Sequence, residues 1–150
     1  MQLTTIGKPK QVNLKLCKKA IKWFGWKLLG PRLYDKVIIS LEFDGSDMGS
    51  NIYGFCDWND TNIRSRDFTI SIHPKLSKKD TLLAIAHEMT HVKQYAKGEL
   101  RDYMRLNRIK WKGKVYDTDD IDYWDTPWEI EAHGRERGLY VQFLESMRNR

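Results

Sequence analysis

Two histidines and a glutamate interrupt an otherwise apolar helical stretch, TLLAIAHEMTHVKQYAKGEL, in the middle of the chain. His87 and His91 are four residues apart, so a helix carries both imidazoles on nearly the same face, one turn apart. Two imidazoles in this arrangement bind one Zn²⁺ ion from the same side. Glu88 lies about 100° around the helix from His87, beside the open position of such an ion. Its carboxylate is predicted to act as the general base toward a metal-activated water.

A catalytic zinc ion needs a third protein ligand, and the last predicted helix offers the candidates. Thr126 and Glu129 form the pattern of a capping box, which accounts for Glu129. Glu131 and His133 are two residues apart, so they point about 200° away from each other and cannot both face the metal. The third ligand is therefore expected to be Glu131 or His133.

Two glycines favour Glu131 over His133. Gly134 and Gly138 lie on the Glu131 side of the predicted helix, and a glycine inside a helix costs about 1 kcal/mol relative to alanine. We interpret this glycine stripe as the surface that contacts the helix with His87, Glu88 and His91. These three residues form an HExxH motif, and we call that helix the HExxH helix. On this interpretation Glu131 faces the metal and His133 faces away.

Hydrophobic periodicity predicts an α+β fold in a single domain that covers residues 1–150. A chain of this length is long enough to bury a core. The predicted elements, in chain order, are a helix over about 10–29, strands over 36–43, 52–58 and 66–73, the HExxH helix over 77–98, a hairpin over 108–116, an acidic loop over 117–125 and a helix over about 126–147. We expect a small, mainly antiparallel sheet packed against the N-terminal helix, the HExxH helix and the C-terminal helix.

The charge of the chain is unevenly distributed. Lysines and arginines total 26 against 20 aspartates and glutamates, a formal net charge of +6. Much of the excess lies near the N-terminus, at Lys8, Lys10, Lys15, Lys18, Lys19, Lys22 and Lys27. A basic helix of this kind is typical of a solvated surface, and association with nucleic acid is the alternative.

Neither a membrane span nor a disulfide framework is predicted. The chain has no run of about 18 apolar residues, and its N-terminus lacks the apolar core of a secretory signal. The two cysteines, Cys17 and Cys56, are far apart and outside any CxxC pair, which argues against a thiolate zinc cluster as well. A reducing cytoplasm is the expected compartment.

HEMTH, WKGKVY and PWEIEAHG together resemble the zincin metallopeptidases, and among them the SprT-like single-domain proteins of bacteria and phages. The later helix with Glu-Ala is also similar to the ImmA/IrrE group, whose third ligand is a glutamate before alanine; here that residue is Glu131. SprT-like proteins with a histidine ligand point instead to His133. The resemblance spans about residues 67–140, and it implies a minimal zincin-like fold in a bacterial or phage-encoded protein.

The resemblance also implies how a substrate is held. Zincins bind the substrate backbone antiparallel to an edge strand. The predicted strand 66–73 is expected to be that edge strand here. A tyrosine or a histidine often stabilises the oxyanion in this family. Tyr116, Tyr123 and His133 are the candidates for that role.

The motif and the resemblance lead to one expected function and two alternatives. The expected function is that of a zinc metalloendopeptidase that acts on a protein or peptide substrate, with Glu88 as general base. Its cofactor Zn²⁺ is held by His87, His91 and Glu131. The first alternative is a non-enzymatic module that keeps the zinc fold and binds nucleic acid or a protein partner. The second is a protease that acts on DNA-associated proteins or on a repressor.

Overall fold

The computed structural model describes residues 1–46, 48–49, 51–104 and 107–149 of the chain. The elements of these residues are β1 (Gln2–Ile6), α1 (Leu14–Tyr34), β2 (Ile38–Phe43), β3 (Gly54–Trp58), β4 (Asp67–Ile72), α2 (Lys78–Ala96), β5 (Leu100–Asp102), β6 (Arg108–Trp111), β7 (Lys114–Asp117), a short 3-10 helix (Tyr123–Asp125) and α3 (Pro127–Arg148). The predicted α+β fold class is confirmed. None of the described helices is both long enough and apolar enough to span a membrane.

The first four strands form one mixed sheet in the order β1-β2-β4-β3. β1, β2 and β4 run parallel, and only β3 runs antiparallel to its neighbour β4. The prediction of a mainly antiparallel arrangement is wrong for this sheet, because α1 connects β1 to β2 as a crossover and brings the two strands together in the same direction. β1 lies in a segment for which no element is predicted, since QLTTI is short and only weakly apolar.

β3 forms one edge of the mixed sheet, and β1 forms the other. The prediction that strand 66–73 is the edge strand is wrong, because β4 pairs with β2 on one side and with β3 on the other. Among the described strands β3 pairs with β4 alone, so no described strand lies along its other edge. Such an edge can pair with an added strand.

The core lies between this sheet and the helices α1 and α2. Four apolar residues of α1 that recur at spacings of three and four are all buried, namely Cys17, Ile21, Phe24 and Leu28. The alternate residues of β2 and β4 are buried with them, namely Ile39, Leu41, Phe43, Phe68, Ile70 and Ile72. A helical period of 3.6 and a strand period of 2 thus produce one shared apolar layer.

Both ends of α2 carry residues that favour a helix terminus. Ser77 precedes the helix, and its Oγ accepts a hydrogen bond of 3.1 Å from the backbone N–H of Asp80. Gly98 follows the helix with a φ of +73°, a left-handed conformation that glycine adopts without steric cost. The helix that carries HExxH is therefore stabilised locally at both termini.

β5, β6 and β7 form a separate antiparallel sheet that follows α2. The predicted hairpin is confirmed, since β6 and β7 pair directly and the chain turns at Lys112 and Gly113, both at positive φ. The backbone N–H of Lys112 donates to the carbonyl of Glu99 at 2.7 Å. This bond ties the hairpin turn to the segment that leaves α2.

Candidate metal centre

The packing of α2 on α3 brings the side chains of HExxH next to the first turn of α3. Nε2 of His91 lies 2.8 Å from Oε1 of Glu129, and Nε2 of His87 lies 3.2 Å from the same oxygen. His87 and Glu129 are only 8% and 5% exposed, so their polar atoms meet in a site that is largely shielded from water. Two imidazole nitrogens and one carboxylate oxygen thus converge on one point.

Glu129, and not Glu131, is the carboxylate that faces the histidines, so the prediction for Glu131 is wrong. Both oxygens of Glu131 are engaged elsewhere. Oε1 accepts a hydrogen bond of 2.9 Å from the side-chain amide of Gln94, and Oε2 lies 2.8 Å from Nζ of Lys93. Glu131 is therefore adjacent to the site without contacting either imidazole.

Two features of α3 explain this difference from the prediction. Thr126 makes no side-chain capping bond, and its backbone N–H, which a capping box would give to the side chain of Glu129, donates instead to the carbonyl of Tyr123 at 3.2 Å. Glu129 therefore has no capping role and faces α2. Gly134 and Gly138 are exposed, with no atom within 4 Å of a Cβ built on either of them, so they are not the expected helix contact. The buried residues of α3 are instead Trp128, Glu129, Ala132, Leu139 and Phe143.

A polar stripe runs along α3 on the side of the histidines. Glu129, His133 and Glu136 recur at spacings of four and three residues, so they lie on one helical face. Oε2 of Glu136 lies 2.8 Å from Nδ1 of His87, and the ring centroids of His133 and His87 are 4.4 Å apart. Sequence reasoning missed Glu136, although its spacing from Glu129 and His133 was a signal that it shares their face.

Each of the two histidines has a hydrogen-bond partner on its other ring nitrogen. Nδ1 of His87 meets Glu136, and Nδ1 of His91 meets Oε1 of Gln94, both at 2.8 Å. Both partner atoms are acceptors, so both Nδ1 atoms donate, and in neutral imidazoles both Nε2 atoms carry the lone pair. Histidines that bind metals are oriented by partners of this kind.

The donor set fits a zinc ion. Two Nε2 lone pairs and a carboxylate oxygen repel one another at these distances unless a proton or a cation lies between them. The ligand atoms of His87, His91 and Glu129 lie within 4.8 Å of one another, and two imidazoles with one carboxylate form a set that catalytic zinc uses with a further position open. The ligand atoms of a second group, His87, His133 and Glu136, also lie within 4.8 Å of one another, but this group shares His87 with the first.

Burial and charge act in opposite directions on the pKa values of the three groups. Burial alone lowers the pKa of His87, but hydrogen bonds to Glu129 and Glu136 dominate and raise it to about 10. The pKa of His91 is also raised, because the contact with Glu129 outweighs burial. Burial alone raises the pKa of Glu129, yet the two histidines hold it well below its usual range. The shifts favour positively charged imidazoles and a negatively charged Glu129, because the opposite charges are in contact.

Glu88 lies next to β3, away from the contact between the histidines and Glu129. It is 6% exposed, and a Cβ built on Gly54 would lie 3.4 Å from its Cγ. Burial raises the pKa of Glu88, although the nearby His91 and His87 lower it. Glu88 lines the same cavity as the two histidines and is not one of the groups that could hold the ion.

A cavity of about 780 Å³ opens onto these residues. Its lining includes His87, Glu88, His91, Glu129, the chain from Asn51 to Cys56, Tyr123, Trp124 and His133. The hydroxyl of Tyr123 lies 3.1 Å from Nε2 of His133, so two of the three predicted oxyanion candidates are together in the cavity. Tyr116 is not part of the lining, because its ring packs against Trp128 with the centroids 5.7 Å apart.

The chain matches no protein-family model, no curated protein and no solved structure. Function is therefore inferred from the chemistry of the site, since a fold by itself does not imply an activity. The features that bear on it are the buried contact of His87 and His91 with Glu129, the neighbouring Glu88, and the cavity that reaches all four.

Proposed function

We propose that this protein is a zinc-dependent metalloendopeptidase of the zincin type, with His87, His91 and Glu129 as the metal ligands. The observation that carries the proposal is the approach of both Nε2 atoms to one oxygen of Glu129, at 2.8 and 3.2 Å. The ligands come from two helices that are distant in the sequence. A bound Zn²⁺ ion supplies Lewis acidity, which lowers the pKa of a coordinated water and polarises a carbonyl group.

Glu88 acts first as the general base and then as the general acid. Its carboxylate accepts the proton of the attacking water and passes it to the nitrogen of the leaving amine. Its position supports this role, because Glu88 is buried and lines the same cavity as the two histidines. Gly54 keeps the space beside Glu88 free of a side chain.

The free edge of β3 supports a peptide as the substrate. β3 pairs only with β4 among the described strands, and residues 51–56 line the cavity. An extended peptide that adds to such an edge is held mainly through backbone hydrogen bonds, so it is bound with little sequence preference. Tyr123 and His133 are the side chains that we assign to stabilising the oxyanion.

Two matched variants test the ligand set. Glu129→Gln and Glu131→Gln alter the same functional group two residues apart on α3. After dialysis we expect about one zinc ion per chain in the wild-type protein and in Glu131→Gln, and none in Glu129→Gln. Zinc loss in Glu131→Gln with retention in Glu129→Gln would overturn the ligand set. A wild-type protein that binds no zinc would overturn the proposed function.

Hydrolysis of an unfolded protein substrate tests the reaction itself. The zinc-loaded wild-type protein is expected to cleave it, a chelator to stop cleavage, and added Zn²⁺ to restore it. Cleavage that persists at full rate in the chelator would contradict a metal-dependent mechanism. An intact substrate with zinc-loaded wild-type protein would count against peptidase activity and leave only the metal site.

The basic surface of α1 favours a second candidate, a protease that acts on DNA-associated proteins or on a repressor. Five lysines of α1 are exposed and form no ion pair with another described residue, namely Lys15, Lys18, Lys19, Lys22 and Lys27. Binding to DNA that weakens as salt rises, together with faster cleavage of a bound protein, is the expected result. DNA binding by a wild-type protein that cleaves nothing would favour a non-enzymatic binding module instead.

A further inference from the structure

Gln94 lies one helical turn after His91 on α2 and is fully buried, yet both ends of its side-chain amide have partners. Its Oε1 lies 2.8 Å from Nδ1 of His91. Its Nε2 donates to the backbone carbonyl of Trp128 and to Oε1 of Glu131, both at 2.9 Å. A buried amide with partners at both ends is held in one orientation.

The partners of Gln94 decide where the proton of His91 lies. A backbone carbonyl and a carboxylate only accept hydrogen bonds, so the group that faces Trp128 and Glu131 is the NH₂ of Gln94. The amide oxygen therefore faces His91, and it needs a hydrogen from Nδ1. With that proton on Nδ1, the lone pair of the neutral imidazole is on Nε2, the atom that faces Glu129.

A chain of charged groups holds Glu131 against Gln94. Oε2 of Glu131 lies 2.8 Å from Nζ of Lys93, and the same ammonium group lies 2.8 Å from Oε1 of Glu99. The carbonyl of Glu99 accepts the backbone N–H of Lys112 at the turn of the β6–β7 hairpin. The contacts thus run without a gap from the hairpin to Gln94.

We propose that Gln94 is a positioning residue of the metal site, which fixes the His91 imidazole with its Nε2 lone pair toward the metal, and that Glu131 holds Gln94 in that orientation. The inference rests on the proposed metal site and adds to it residues that do not touch the ion. Glu131 then influences zinc affinity through Gln94 and His91. Glu131, which the sequence analysis selected as a ligand, is thus assigned an indirect effect on the metal site.

Two buried positions on α2 provide the test, because only one of them contacts the Nδ1 atom of His91. Gln94→Met keeps most of the side-chain volume and removes the acceptor. Thr90→Val removes a buried hydroxyl that donates to the carbonyl of Ala86 at 3.0 Å. The lost hydrogen bond joins two residues of α2 and does not involve His91. The zinc dissociation constant is measured by competition with a chromophoric chelator, and the unfolding of zinc-free protein by urea titration.

We expect Gln94→Met to weaken zinc binding by about 10- to 100-fold, the usual effect of losing the partner of a ligating histidine. Thr90→Val is expected to lose stability and to bind zinc like the wild-type protein. Wild-type affinity in Gln94→Met would overturn the positioning role and leave the zinc site in place. A wild-type protein without zinc affinity would overturn the proposed function and this inference together.

Glu131 offers a second comparison that avoids a change inside the core, since its side chain is 25% exposed. Glu131→Gln keeps an oxygen that accepts from the amide of Gln94, whereas Glu131→Leu does not. We expect Glu131→Leu to weaken zinc binding by about tenfold and Glu131→Gln to restore most of the affinity. Equal dissociation constants in the two variants would overturn the role of Glu131.

Discussion

The two sides of α2 are both buried, but in different surroundings. One side is apolar and packs into the core with α1 and the mixed sheet, through Leu82, Ile85, Met89 and Val92. The other side is polar and is covered by α3 and β3, and it carries His87, Glu88, His91 and Gln94. A surface helix usually leaves its polar side in water, so the burial of this one is the unusual feature of the helix.

The difference shows what each side requires of its neighbours. The apolar side needs mainly volume and shape, because hydrophobic burial has no direction. The polar side needs a particular atom opposite each donor and acceptor, since a buried polar group without a partner costs about 1–3 kcal/mol. Glu129 and Glu136 of α3 are such partners for His87. Stability and chemistry should therefore respond to substitutions on different sides.

The largest expected effect is on catalysis, from Glu88→Gln on the polar side. The substitution keeps the shape of the side chain and removes the base, so the rate of peptide hydrolysis should fall by about 10²- to 10⁴-fold. Zinc content and the free energy of unfolding should stay close to the wild-type values. Initial rates on a quenched fluorescent peptide, with elemental analysis of the same samples, check both points. Activity near the wild-type level would remove Glu88 from the mechanism.

Ile85→Ala on the apolar side should lower stability and leave zinc binding unchanged. It leaves a cavity in the core, so the free energy of unfolding should fall by about 2–5 kcal/mol, while the folded protein keeps its zinc dissociation constant. Urea denaturation of zinc-free protein measures the first quantity, and chelator competition measures the second. Zinc binding weakened by about tenfold or more would show that the two sides are coupled.

The stability of the zinc-free protein should depend on pH through the polar side. The pKa of His87 is raised from 6.5 to about 10 in the folded protein, so the stability from this shift is fully present below pH 6.5. It is lost as the pH rises from about 6.5 to about 10, with a slope of up to about 1.4 kcal/mol per pH unit. The depressed pKa of Glu129 acts at the other end, where its contribution is lost as the pH falls below about 4.

Urea titrations in a chelator at several pH values between about 6 and 10 check this dependence. Glu129→Gln is the matched control, because it removes a charge that raises the pKa of His87 and should flatten the curve. A wild-type free energy of unfolding that stays constant over this range would contradict the contact between Glu129 and the two histidines.

The smallest expected effect is on stability, from Ser77→Ala. Ser77 precedes α2 and belongs neither to its apolar side nor to its polar side. Loss of the bond from the N–H of Asp80 to Ser77 Oγ should lower the free energy of unfolding by about 1 kcal/mol. Zinc affinity and peptide hydrolysis by the folded protein should not change. Ser77→Asp keeps an acceptor and should retain the stability. A marked change in zinc affinity would mean that zinc binding depends on the N-terminal cap of α2.

Local signals explain which parts of the molecule could be predicted from the sequence. Ser77 and Gly98 mark the two ends of α2, and the positions of His87 and His91 on one face follow from their spacing. β1 and the parallel pairing escaped prediction, because both depend on contacts between distant segments, such as Gln2 with Ile38. The edge strand was misassigned for the same reason, since the sequence of a single strand does not specify its neighbours in the sheet.

The choice between Glu129 and Glu131 shows where local reasoning ends. Both residues lie in the first turns of α3, and the one that faces α2 depends on how α3 is rotated about its axis. The buried residues Trp128, Ala132 and Leu139 set that rotation. The glycine stripe misled because exposed glycines, such as Gly134, need no contact at all.

By itself, the sequence determined that one helix would carry two imidazoles one turn apart with a carboxylate beside them. Helical geometry guarantees this wherever such a helix forms. Only the tertiary structure decided that Glu129 completes the cluster, that Glu136 and Gln94 meet the outer nitrogens of the histidines, and that β3 borders the cavity. The physical reason is that hydrogen bonding and coordination act over about 3 Å, a distance that only the packing of whole elements can set.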